Sequence, residues 1–156
     1  MNNNDVLRSL RYAMDLADHK IIDMIKAGHG SDLDKATVQA MLKLEDETGF
    51  LACNNTQLNA FLDGLILDRR GPSDRNTEPK TTLQRMTHNL ILKKLRIAFE
   101  LKETDLVEIM QLAQFQISKP ELNALFRNPG HKNYRACGDQ FLRNFLKGLT
   151  MRIRGK

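Results

Sequence analysis

Apolar residues recur along this chain at helical spacing. Val6, Leu7, Leu10, Ala13, Met14 and Ala17 form a single stripe, which predicts a helix from about Asp5 to Ala17 with one buried face. Asp18 is positioned as the N-cap of a second helix carrying Ile21, Ile22 and Ile25, because a side-chain oxygen there can accept from the unpaired amides of a first turn. Asp34 takes the same role ahead of Val38, Met41 and Leu42. A fourth stripe, Leu58, Phe61, Leu62 and Leu65, follows Asn54 or Asn55 as its cap. It ends at Arg70-Gly71, a cation in the last turn with glycine after it.

The series then starts again. Ile91, Leu92, Leu95, Ala98 and Phe99 repeat the first stripe, and Thr104 precedes Leu106, Val107, Ile109 and Met110 as a cap. Ser118-Lys119-Pro120-Glu121 is a capping box ahead of Leu122 and Leu125. Asp139 caps Leu142, Phe145, Leu146 and Leu149, which close on Arg154-Gly155. A shift of 85 residues lays Leu7, Leu10, Arg11, Ala13 and Leu16 on Leu92, Leu95, Arg96, Ala98 and Leu101. After a one-residue length difference near 28–32, a shift of 84 lays Cys53, Phe61, Gly64 and Arg70 on Cys137, Phe145, Gly148 and Arg154. One register held through cysteine, aromatic, glycine and arginine positions marks an internal duplication.

The fold class is therefore all-α, in two tandem copies of about four helices each. The copies span residues 1–71 and 87–156, and the polar, Pro-bounded, aperiodic stretch 72–86 reads as a linker. A copy of about 70 residues would bury only around 60% of its unfolded surface. The two are expected to pack about a pseudo-two-fold axis and share part of a core. Gly64 and Gly148 sit mid-helix on one register, where glycine costs roughly 0.5–1 kcal/mol against alanine. Each is expected to admit another helix closely, that of the other copy, so that the halves meet through their final helices.

A hydrophobic content of 41% with 28% charged residues is that of an ordinary globular chain, and excludes disordered or fibrous classes. No apolar run approaches 18 residues, and the start Met-Asn-Asn-Asn-Asp lacks the features of a secretory signal, so a cytoplasmic protein without a membrane span is expected. Cys53 and Cys137 occupy equivalent places and read as small buried thiols in a reducing compartment. His19, His29, His88 and His131 show no ligand spacing, so neither a metal nor a cofactor is expected. Glu45-Asp46-Glu47 lacks a partner base or a cation-loop pattern and reads as a solvated loop. With no nucleophile–base pair in view, the expectation is a non-enzymatic protein.

Charge divides the chain unevenly. Residues 1–71 hold 8 Lys/Arg against 11 Asp/Glu, a balance of −3, whereas residues 87–156 hold 13 against 6, a balance of +7. Either the second copy meets an anionic partner or the two copies dock acid to base.

His131-Lys132-Asn133-Tyr134-Arg135-Ala136-Cys137-Gly138-Asp139-Gln140-Phe141-Leu142 and Phe145-Leu146-Lys147-Gly148-Leu149 resemble the YehS family of small bacterial proteins. So do Asn89 with Leu92-Lys93-Lys94-Leu95-Arg96-Ile97-Ala98-Phe99, and Glu47-Thr48-Gly49-Phe50 with Phe61-Leu62-Asp63-Gly64-Leu65-Ile66. The resemblance spans nearly the whole chain, including the duplication. It implies a domain of unknown function and supplies no catalytic or binding residues.

The residues themselves point to nucleic acid or another polyanion as the partner of the second copy. His131, Lys132, Arg135 and Gln140 lie in a loop entering a helix N-terminus, where free backbone amides favour anions, and Arg143 and Lys147 continue along that helix. Lys93, Lys94, Lys119, Arg127, Arg152 and Arg154 add to the charge. Tyr134, aligned with Phe50, is expected to plug the core. The second and third helices of each copy also resemble a phage-repressor helix-turn-helix through Leu95-Arg96, Leu101, Leu106, Ile109 and Ile117-Ser118. Leu112 and Gln116 depart from that pattern, and Gly28 and Asp32 in the first copy fit it better. The alternative is a protein–protein adaptor, with a protein partner or a second copy of the chain in a homodimer held on the two diverged surfaces.

Overall fold

A computed structural model describes residues 1–71 and 86–155; apart from Met86, the linker assigned to 72–86 lies outside them. The described residues form eight helices and no strand. The first copy holds α1 (Asn3–Met14), α2 (Asp18–Ala27), α3 (Lys35–Met41) and α4 (Asn55–Arg70). The second holds α5 (His88–Ala98), α6 (Glu103–Leu112), α7 (Lys119–Leu125) and α8 (Asp139–Arg154).

Several helix ends follow the sequence reading. Asp34 and Asn54 accept from the amides of Thr37 and Gln57, each at 2.8 Å, and Ser118 and Glu121 form the expected box. Others shift. Asp18 and Asp139 are the first residues of their helices, with Ala17 and Gly138 in the cap positions. The cap of α6 falls on Lys102, two residues before Thr104, because the Asp105 carboxylate reaches back to the Lys102 amide at 2.7 Å.

The first helix stops at Met14 rather than Ala17. Asp15 takes a left-handed conformation (φ 52°) and its amide closes onto the carbonyls of Arg11 and Tyr12, leaving Ala17 exposed. Glu100 repeats this at φ 53°, and His29 and Gln114 form a second matched pair at φ 68° and 61°. An L-residue pays roughly 1–2 kcal/mol for that conformation. Asp15 and His29 are residue types that tolerate it comparatively well, and Glu100 and Gln114 hold it on the same register, so both copies share these turns.

Within each copy the last helix packs on the second, α4 on α2 and α8 on α6. Between copies the first helix of each lies on the last helix of the other, α1 on α8 and α5 on α4. This exchange carries the pseudo-two-fold, and one hydrophobic core containing Leu7, Phe61, Leu92 and Phe145 runs through both copies. The halves thus meet through first and last helices together, not through the last helices alone.

The mid-helix glycines serve a different contact from the expected one. A Cβ on Gly64 would stand 1.8 Å from the carbonyl oxygen of Met24, and one on Gly148 2.0 Å from that of Ile109. The close neighbour is therefore the second helix of the same copy. A glycine marks the face that is approached but not the helix that approaches it. Gly148→Ala is expected to lower stability by about 1–2 kcal/mol, since overpacking costs about 1–3 kcal/mol and the gain in helix propensity returns only part of it. A Cβ at Gly130, in the loop after α7, meets nothing within 4 Å, so Gly130→Ala is the neutral control. Urea unfolding of the two variants checks this, and equal midpoints would refute the close crossing.

A buried asparagine ties each copy together. Asn4 donates to the carbonyls of Met41 (2.8 Å) and Leu51 (2.9 Å) and accepts from the amide of Cys53 (3.0 Å). Asn89 does the same with Leu125 (2.9 Å), Arg135 (2.8 Å) and Cys137 (2.8 Å). Each joins the first helix to the end of the third and to the segment entering the fourth. The cysteines beside them are buried, as expected, and burial pushes both thiols up to about 12. At neutral pH they carry almost no thiolate.

Candidate anion-binding surface

The loop leading into α8 is held at both ends. Asn89 grips the Arg135 carbonyl, while the Arg135 amide donates to the Ala124 carbonyl at 3.0 Å. Inside it, successive turns pair the His131 amide with Asn128 and the Tyr134 amide with His131, and the His131 ring accepts from the Asn133 amide at 3.0 Å. His131, Lys132 and Arg135 are exposed on this frame, with Arg135 3.6 Å from Glu121. Tyr134 and Phe50 are half-buried, and neither belongs to the core cluster, so the expected plug is not formed. The loop's own hydrogen bonds shape it instead.

The start of α8 is less open to anions than the sequence suggested. Asp139 occupies its first turn and is ion-paired with the Met1 ammonium at 2.9 Å, with His88 at 3.4 Å on its other oxygen. The ammonium holds the Asp139 carboxyl below the ordinary carboxylate range. Past it, Gln140, Arg143 and Lys147 fall at i, i+3 and i+7 and are all exposed on one face of α8.

Arg143 and Lys147 also border a groove of about 380 Å³ between α1 and α8. Met1, Ser9 and Tyr12 form one wall, and Leu146, Thr150, Met151 and Arg154 complete the other. None of His131, Lys132, Arg135 or Gln140 lines it. The six predicted residues therefore form a loop cluster and a helix face that share Arg143 and Lys147 with a groove. Sequence reading missed Ser9 and Tyr12, whose place opposite α8 is set by the exchange of helices between copies.

Three other expected contributors are withdrawn. Lys94 is 5% exposed and ion-paired across the copies with Asp63. It stands three residues past Ile91 on α5, beside the apolar stripe, and so turns inward. Arg152 is engaged by Asp105 (2.8 Å) and Glu108 (3.2 Å). Arg154 stacks 4.4 Å from the centre of the Tyr12 ring and donates to the Tyr12 carbonyl. Docking between the copies consumes little of the charge asymmetry. Among the described residues Lys94–Asp63 runs in the expected sense, whereas Arg70–Glu100 and Met1–Asp139 run the other way.

The helix-turn-helix reading meets two differences. The connections 28–34 and 113–118 are longer than a turn of three or four residues, and they hold the one-residue length difference between copies. Gly28 abuts the Ala60 carbonyl, so a helix crossing explains its small size. Glu45, Asp46 and Glu47 are exposed, in keeping with a solvated loop. Among the described residues no three metal-binding side chains cluster, and no helix is long and apolar enough to cross a membrane.

A family described as a protein of unknown function, DUF1456, matches this chain twice, over residues 3–71 and 88–155. The chain belongs to the DUF1456 family. Its two matched segments are the two copies seen in the fold. The chain is also 41% identical to a relative described as uncharacterized protein YehS of Escherichia coli (strain K12). That match covers 97% of this chain and 96% of the relative. No solved structure matches. Membership in DUF1456 thus bears out the resemblance read from the residues and supplies no activity.

Proposed function

We propose that this DUF1456 protein is a non-enzymatic, cytoplasmic binding protein whose second copy holds nucleic acid or another polyanion. One observation carries the reading. Lys93, Lys119, Arg127, Lys132, Arg143 and Lys147 are all exposed and enter no ion pair among the described residues. Surface cations left in this state gain from phosphates by releasing condensed counterions. His131, Lys132, Arg135, Gln140, Arg143 and Lys147 form the proposed contact surface, with the loop placed first by Asn89. Binding of this kind is sequence-tolerant and steeply salt-dependent.

Fluorescence anisotropy with duplex DNA, single strands and RNA at two salt concentrations tests it. The Lys132→Glu, Arg135→Glu, Arg143→Glu triple variant is expected to bind at least tenfold more weakly, with a salt slope smaller by about 2–3. A folded parent that binds nothing at low salt, or a triple variant that binds as well, overturns the reading. A stoichiometric protein partner insensitive to nuclease is the outcome that would replace it with the adaptor.

A further inference from the structure

The two faces between the copies are related by the internal two-fold but are filled differently. Where α4 meets α5, Lys94 is buried against Asp63, and Ile66 is buried nearby on α4. On the repeat register these positions correspond to Ser9, Lys147 and Thr150. Where α1 meets α8, a short hydroxyl therefore faces an exposed cation, and the groove of about 380 Å³ lies there. That volume is in the small-ligand range. Tyr12, Leu146 and Met151 give it apolar walls, while Arg143 and Lys147 set positive charge along one side. Asp139 lies close enough to feel Arg143, yet it is already held by the Met1 ammonium.

We propose that this groove binds an acyl-chain anion, a fatty carboxylate of medium length. Its chain lies along Tyr12, Leu146 and Met151, and its head group sits between Arg143 and Lys147. Charge complementarity selects an anion, and the walls select a flexible apolar body. A nucleobase is a poorer occupant. Arg154 already covers a face of Tyr12, and the Thr150 hydroxyl is spent on the Leu146 carbonyl at 2.7 Å. The site shares Arg143 and Lys147 with the proposed polyanion surface but none of His131, Lys132, Arg135 or Gln140.

The test is calorimetric titration of the full chain with dodecanoate below its micelle concentration, alongside its uncharged methyl ester. The expected result is saturable binding of one dodecanoate per chain, at least tenfold tighter than the ester. Arg143→Gln with Lys147→Gln, both at exposed positions, is expected to weaken it at least tenfold. Ser9→Lys with Lys147→Asp rebuilds the ion pair of the other face and is expected to abolish binding with helix content retained. A folded parent that shows no saturable binding, or a glutamine pair that binds as tightly as the parent, overturns the proposal. Lys132→Glu with Arg135→Glu leaves dodecanoate binding unchanged, so loss of nucleic-acid binding and loss of acyl binding are read separately.

Discussion

Replacing Asn4 by alanine is expected to destabilise the chain by about 3 kcal/mol or more. The side chain is 2% exposed and satisfies three backbone groups, the carbonyls of Met41 and Leu51 and the amide of Cys53. Alanine would leave all three unpaired, and each buried group stranded in this way costs about 1–3 kcal/mol. The contact to Leu51 is only partly buried, which keeps the total near the lower end. Asn4→Asp separates the contributions, because an ionised carboxylate still accepts from Cys53 but cannot donate to the carbonyls. Asn89→Ala should follow in the same direction by a smaller amount, since Asn89 is half-exposed. Chemical denaturation measures each, and a loss below 1 kcal/mol for Asn4→Ala would mean that water replaces the amide.

The second large effect is expected at the ion pair between the copies. Asp63→Ala leaves the Lys94 ammonium buried without its counter-charge, and breaking such a pair from one side costs about 3–5 kcal/mol. The low end of that range applies, because Asp63 keeps about a third of its side chain exposed. Lys94→Met combined with Asp63→Leu is expected to recover most of the loss, since apolar packing can replace a buried pair. The melting temperature of the two variants decides it. A single variant as stable as the parent would show Lys94 reaching solvent.

Some of these features were legible in the sequence and some were not, for reasons of geometry. The helices are readable because stripes such as Leu58, Phe61, Leu62 and Leu65 carry their period in the residues themselves. The duplication is readable because two copies under the same packing constraints kept the same residues at Cys53 and Cys137 and at Gly64 and Gly148. Asn4 and Asn89 lie on that register too, and an identical polar residue beside two apolar stripes was a signal open to notice. Partnership between helices is different. A stripe has a width and a direction but no address, so nothing in α1 alone states that it lies on α8 rather than α4. Spacing alone therefore cannot set Ser9 and Lys147 opposite one another, and it leaves Lys94 among the surface cations. The face of Gln140, Arg143 and Lys147 was readable from spacing alone; its junction with a groove was not.

The docking of α1 on α8 sets against each other two helices made far apart in synthesis. Arg154 reaches the Tyr12 carbonyl across 142 positions of sequence. A chain leaving the ribosome therefore exposes α1 long before its partner exists, and contacts so distant along the chain close slowly. The apolar side of α1 that α8 will cover must wait in solution or in the care of a chaperone until α8 has been made.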